Sequence, residues 1–328
     1  MGTIADFGEA VRAAITVLVD NQTDLGVRST DTVRRYTEGP LLAEHGFSAL
    51  VDLDDAAVCI LWDAGVTPLT LLENMRRMKI DPGTIDRIAL SHGHDDHSAA
   101  RTGLIKAIGL RREPRKWEEG TSLEEMFTWA QGRHVPLVAH PAAFRERWRR
   151  MKDGSFWGPE SPPPRQEWEA AGAEIVLSEG PYRLGPGCWA TGAVPRSSFE
   201  RTGSTGRAFY REGNALAPDE IEEDQSIVVN VRGKGLVILS GCAHAGIVNT
   251  IRYAREISGV ERVWAIIGGF HLGPAKDKEI ERTVEAIRAF RPALVVPSHC
   301  TGFRAIRRFA EAMPDAFVQS LVGTTYLF

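Results

Sequence analysis

The chain has 328 residues, 43% of them hydrophobic, and a formal net charge of −4. There is apolar material for a large core, and the mild acidity gives no general attraction to nucleic acid or to an anionic membrane. No stretch is apolar for long enough to span a bilayer, and MGTIADFGEA lacks the basic-then-apolar pattern of a secretory signal, so a cytoplasmic protein is expected.

In chain order, residues 14–19 read as a strand that delivers Asp20-Asn21-Gln22 to its end. Strands follow at 48–51 and 57–62, the second ending at Asp63-Ala64-Gly65. Leu71, Leu72, Met75 and Met78 recur at helical spacing between Thr70 and Lys79, and Ile85 to Leu90 returns as a strand. Ser98 caps a helix that Gly109 ends. The charged stretch from Arg111 opens a helical and loop insertion around 111–170, with Trp117 and Trp129 in it. Inside that insertion, 135–139 is a strand leading to His140-Pro141, and a basic helix carries Phe144 and Trp148. The four prolines from Gly154 to Arg165 make that segment irregular.

Residues 226–231 and 235–239 pair as a hairpin, and a helix begins near Gly246. Strands at 264–267 and 294–296 then alternate with helices at 278–290 and 303–312, and 317–322 reads as a strand closing a second sheet. Alternation in both halves predicts an α+β fold of mixed sheets covered by helices, with chemistry at strand ends.

The run His92-Gly93-His94-Asp95-Asp96-His97 directly follows the apolar Ile88-Ala89-Leu90, and it holds three of the nine histidines. Such a cluster is poor core material, because every ring nitrogen and carboxylate oxygen must find a partner or pay for lost water. Divalent metal satisfies them together. On an extended segment His92 and His94 point the same way and share one ion, while Asp96 and His97 face a second roughly 3.5–4 Å away. Asp63, Cys242-Ala243-His244, Gly268-Gly269-Phe270-His271 and His299 also follow apolar runs, so distant segments build one site. Two zinc ions suit these ligands, with manganese or iron as alternatives.

Other residues are weighed against plainer roles. His45 reaches toward the site from a loop as a substrate-binding candidate, whereas His140 reads as structural or as a support behind the ligands, and His134 is isolated. Arg196, Arg201 and Arg207, around a Gly-Ser-Thr-Gly stretch, suit a phosphate but equally suit a solvated loop. Cys59, Cys188, Cys242 and Cys300 are too few and too scattered for a disulfide framework.

With Asp63 in Leu61-Trp62-Asp63-Ala64-Gly65 and His299 after Val295-Val296-Pro297-Ser298, the sextet resembles the metallo-β-lactamase superfamily signature His-x-His-x-Asp-His. The resemblance implies one domain over 1–328, folded as a four-layer αβ/βα sandwich of two mixed sheets with outer helices. It also implies His92, His94, Asp96, His97 and His299 as metal ligands. Glu44-His45-Gly46-Phe47-Ser48, Asp224-Gln225-Ser226, the run from Gly241 to Thr250, and His299-Cys300-Thr301-Gly302 are similar to one branch. That branch carries the name 7,8-dihydropterin-6-yl-methyl-4-(β-D-ribofuranosyl)aminobenzene 5'-phosphate synthase.

Two departures stand out. Ala190-Thr191-Gly192-Ala193 lacks the superfamily's middle histidine, and Gly241-Cys242 stands where Gly-Asp supplies the bridging carboxylate. His244 is the preferred substitute ligand, with Cys242 as a thiolate and His271 as alternatives, His271 also as a hydrogen-bond donor to substrate. The resemblance implies a metal-dependent hydrolase in which a metal-bound hydroxide attacks a small phosphorylated or ester substrate. Asp96, His244 and His271 would surround the reaction, and Arg196 and His45 would bind substrate. The alternative is condensation of a dihydropterin with a ribofuranosyl-aminobenzene phosphate. A small-molecule substrate is expected, without nucleic-acid or membrane partners and with homo-oligomer formation open.

Overall fold

The computed structural model describes residues 2–53, 56–99, 101–111, 120, 122–123, 135–200 and 206–328. Trp117, Trp129, His134 and Arg201 lie outside the described residues.

An eight-stranded mixed sheet is formed by β1 (Ala14–Val19), β2 (Val33–Arg35), β3 (Ser48–Leu53), β4 (Val58–Trp62), β5 (Arg87–Ala89), β6 (Val135–Ala139), β9 (Ala173–Leu177) and β18 (Thr324–Leu327). Their spatial order is β2-β18-β1-β3-β4-β5-β6-β9, antiparallel up to β4 and parallel from there on. A second mixed sheet holds β10 (Tyr182–Gly185), β11 (Cys188–Ala190), β14 (Ser226–Val231), β15 (Gly235–Ser240), β16 (Val263–Gly269) and β17 (Leu294–Ser298) in sequential order. Here β15, β16 and β17 run parallel.

Side-chain alternation explains the layering. Val17, Val51, Ile60 and Trp62 face Ile227, Val229, Val237 and Ile267 across one core between the sheets. Their chain neighbours Leu18, Leu50 and Leu61 turn outward to Leu71, Met75, Leu104 and Ile108. On the far side Val228, Ile238 and Ile266 pack against Ile251, Ile257, Val284 and Phe309. A strand that is apolar on both faces needs cover on both faces. The helices α1 (Pro68–Arg77) and α3 (Arg101–Arg111) supply it on one side, and α5 (Ile247–Ser258), α6 (Asp277–Ala289) and α7 (Phe303–Ala312) on the other. Between α1 and α3 lies the single-turn α2 (Asp95–Ser98), and α4 (Arg165–Ala170) precedes β9.

Several expected elements differ. The basic segment after His140 is not a helix: a 3-10 turn, Pro141–Phe144, leads into the strand β7 (Arg147–Arg150). The prolines do not keep 154–165 irregular, since β8 (Phe156–Glu160) forms there. Both join β12 (Ala208–Glu212) and β13 (Ala215–Pro218) in a third sheet, ordered β13-β12-β7-β8. The helical expectation failed because the arginines read as a solvated helix face, whereas Arg147 is buried in an ion cluster and Trp148 pairs with Phe209 in the ladder. The segment 317–322 reaches the β17 edge of the second sheet, where Val318 N donates to Val295 O, but forms no strand there. Phe317 makes an isolated bridge to Val295, Ser320 Oγ donates to buried Asp20, and the strand that follows, β18, inserts into the first sheet. The helix expected from Ser98 is split into α2 and α3, and α3 runs past Gly109.

Candidate metal centre

The ends of β4, β5, β15, β16 and β17 carry Asp63, the 91–97 loop, Gly241 to His244, His271 and His299 respectively. Open α/β sheets gather ligands at the carboxyl ends of their strands. Asp63, Ala243, His271 and His299 all adopt left-handed backbone, with φ between 45° and 56°. Each such residue costs about 1–3 kcal/mol, a strain that surrounding structure sustains and that concentrates at functional sites.

Asp63 is fully buried and holds two imidazoles from behind. Its Oδ2 accepts from His97 Nδ1 at 2.7 Å and from Ser91 Oγ at 2.7 Å, and Ser91 Oγ in turn contacts His92 Nδ1 at 2.8 Å. Both rings are thereby turned to present Nε2 inward. His97 Nε2 lies 3.2 Å from Cys242 Sγ and 3.2 Å from His299 Nε2, which is 3.1 Å from Asp96 Oδ2. His92 Nε2 lies 3.0 Å from His94 Nδ1. His299 is fixed by Asp20, whose carboxylate accepts its backbone N–H, and by Asn21, which donates to its carbonyl.

Two donor sets meet at one sulfur. Asp96, His97, Cys242 and His299 form the first, and His92, Cys242 and His244 the second, with donor atoms in each within 4.8 Å of one another. His94 joins His92 and Asp96 in a further group and its ring stands 5.0 Å from that of His244. The expectation treated Cys242 and His244 as alternatives; the fold brings both in. Imidazoles, a carboxylate and a thiol in mutual contact, with Nδ1 of His92 and His97 already occupied, are a donor set that fits two divalent ions. Burial and then the neighbouring His97 push His92 well below its usual range, and burial and then Arg147 bring His94 down to about 4. His97 goes the other way, to about 9, because Asp96 and Asp63 outweigh its burial.

The loops are strung to residues 219–225, of which the sequence pointed only to Asp224-Gln225, by resemblance and without a role. Glu223 accepts from Gly93 N, Asp224 from Ala245 N, and Gln225 bridges Leu90 O and Gly192 N. Arg147 reaches from β7 to Asp219 at 2.7 Å and Glu223 at 2.5 Å. A Cβ at Gly93 would collide with Ala143 O and this guanidinium, so glycine between His92 and His94 allows the third sheet to pack on the loop. For Asp219 and Glu223 the available signal was the acidic run Glu222-Glu223-Asp224, which looks like a surface. Arg196 donates to the carbonyls of Glu220, Ile221 and His244, and it bounds no part of the cavity described below. His45 is largely exposed, with Nε2 3.5 Å from Asp96 Oδ2 and its ring 4.9 Å from that of His299. His140 accepts from Ala142 N and caps the 3-10 turn.

A cavity of about 260 Å³ opens beside the centre. His94, His244 and His271 form one wall, and Trp148, Arg149 and Glu160 of the third sheet, with Arg207 just before β12, another. His271 Nδ1 is buried without a hydrogen-bond partner among the described residues. Among them, too, no helix is long and apolar enough to cross a membrane.

Burial lifts Glu223 to about 7, with Arg147 opposing. A carboxylate raised in the folded state contributes stability that is present below its unfolded value and lost as pH rises through about 7. Glu223→Gln should therefore gain stability relative to the native chain as pH is raised from 5 to 8, read as the difference in urea midpoints. A pH-independent difference would contradict this linkage.

The chain matches the model of the metallo-beta-lactamase superfamily over residues 43–299. It is 28% identical over 317 residues, 93% of this chain and 99% of the relative, to the 7,8-dihydropterin-6-methyl-4-(beta-D-ribofuranosyl)-aminobenzene-5'-phosphate synthase of Methanocaldococcus jannaschii. Among solved structures it resembles Tm1679, described as a metal-dependent hydrolase of the beta-lactamase superfamily, with TM-score 0.69 and 24% identity over 95% of this chain and 98% of the other. YhfI from Bacillus subtilis, a metallo-beta-lactamase fold protein, gives TM-score 0.50 and 11% identity over 97% and 99%.

Proposed function

The chain belongs to the metallo-β-lactamase superfamily, and from that premise we propose a zinc-dependent hydrolase of a small phosphorylated or ester substrate. The observation that carries this reading is the sulfur of Cys242 shared between two donor sets beside an open cavity. His92, His94, Cys242 and His244 would hold one ion, and Asp96, His97, His299 and the same sulfur the other. Bound ions would activate water and offset negative charge developing on the substrate. The chain's own residues do the rest. Asp63 keeps the His92 and His97 rings oriented, and Asp96 would align the attacking water. His271 Nδ1, without a partner among the described residues, is available to pass a proton to the departing oxygen. Arg207, and Arg149 if an anion displaces its 3.2 Å partner Glu160, suit an anionic substituent in the cavity. Arg196, called a substrate ligand from sequence, is read instead as bracing the His244 loop. Four unpaired thiols suit a reducing, cytoplasmic setting.

The name of the archaeal relative favours a second reading, condensation of a pterin with a ribofuranosyl-aminobenzene phosphate. Trp148 on the cavity wall could stack on a flat ring in that case. One experiment separates the two. Protein stripped with a chelator and reloaded with zinc, manganese or iron is offered aryl phosphomonoesters, phosphodiesters, carboxylic esters and the two condensation precursors. Metal-dependent release of the aryl alcohol is expected, with Arg149→Ala and Arg207→Ala raising KM about tenfold for phosphorylated substrates and leaving neutral esters unchanged. Turnover only of the precursor pair would transfer the assignment to the synthase, and full activity without metal would sink both.

A further inference from the structure

Cys300 stands outside the two donor sets, yet its half-buried thiol lies against Cys242 and His271. The three donor atoms are within 4.8 Å of one another, and Cys300 Sγ is 3.6 Å from the carbonyl oxygen of Cys242. The fold makes this pairing between residues 58 apart, because β15 and β17 flank β16 and each cysteine follows the end of its strand. Gly269, on the strand between them, leaves the room. A Cβ there would fall 2.6 Å from Cys300 Sγ and 3.2 Å from Cys242 Cα. The other two thiols are elsewhere: Cys59 is buried under the α1 and α3 layer and Cys188 between the sheets. Cys300 is the partly exposed member of the pair and Cys242 the buried one, so a small solute meets Cys300 first.

We propose that Cys242 and Cys300 are an oxidisable thiol pair, which a hydroperoxide converts to a disulfide that withdraws the shared sulfur from the donor sets. With hydrogen peroxide, the Cys300 sulfur attacks one peroxide oxygen, the O–O bond breaks, and a sulfenic acid and one water result. The Cys242 sulfur then displaces the sulfenic oxygen, which leaves as a second water. Two thiols lose two electrons and two protons, and the peroxide is reduced to two waters. The pair does not depend on which substrate the enzyme uses, and its test does not read activity.

Full-length protein, both metal-loaded and chelator-treated, is exposed to hydrogen peroxide, blocked with a maleimide and digested without reduction. A peptide joining residues 242 and 300 is expected, absent after dithiothreitol, together with loss of two free thiols and release of bound metal. Cys300→Ser, checked for native circular dichroism, should yield no such peptide and retain its metal under the same exposure, while Cys59→Ser should behave as the native chain. Recovery of Cys242 and Cys300 as separately alkylated or separately oxidised peptides overturns the proposal. Equal metal loss from the native chain and Cys300→Ser does so as well.

Discussion

His97→Ala should abolish stoichiometric metal binding at one position and with it nearly all turnover, a loss beyond the roughly 10–100-fold in metal affinity typical when an outer partner of a ligand is removed. The reason is that His97 is a node. It is fully buried, its Nδ1 is held by Asp63, and its Nε2 faces both Cys242 and His299. Alanine would leave Asp63 and Asp96 without that ring and open a gap between the donors. Asp63→Asn is the graded companion: it keeps size and replaces an acceptor by a group that can donate to His97 Nδ1, so the wrong ring nitrogen is presented. That variant should fall within the 10–100-fold range. Elemental analysis of protein purified without added metal, with circular dichroism as a check on folding, measures both. Unchanged metal content in His97→Ala would remove this residue from the centre.

Arg147→Ala should destabilise strongly, by about 3–5 kcal/mol, because it strands two buried carboxylates. Asp219 and Glu223 are fully buried and both bond this guanidinium, which also donates to the carbonyls of Ala142 and Ala143. Replacing the whole cluster, Arg147→Met with Asp219→Asn and Glu223→Gln, should recover much of that loss, since no unpaired charge then remains. Urea unfolding followed by fluorescence measures the series. The change should also reach the centre, because Glu223 accepts from Gly93 between two ligand histidines. If Arg147→Ala unfolds at the native midpoint, the cluster carries no such role.

How much was readable from sequence depended on whether a group's environment is local. The sextet was readable because its residues are adjacent and follow a short apolar strand, and Asp63 and His299 were readable because each ends another. The third sheet was not. Arg147-Trp148-Arg149-Arg150 is as basic as a solvated helix face, and nothing local says that Arg147 turns inward to carboxylates more than 70 residues away. The segment 317–322 was half legible: its start bonds to Val295 at the β17 edge of the second sheet, but no strand forms there, and Ser320 bonds Asp20 beyond it.

The sequence by itself determined the mixed-sheet class, the strand ends that carry chemistry, and a metal-binding sextet, because these follow from short-range periodicity and from the cost of burying imidazoles and carboxylates without a partner. Only the tertiary structure shows that Cys242 and His244 lie within reach of the same donors, that Arg196 bonds the carbonyls of Glu220, Ile221 and His244 while Arg149 and Arg207 line the cavity, and that Cys300 meets Cys242. Those outcomes depend on which strand ends lie side by side. Side-by-side placement arises from packing across the whole chain, and no local run of residues records it.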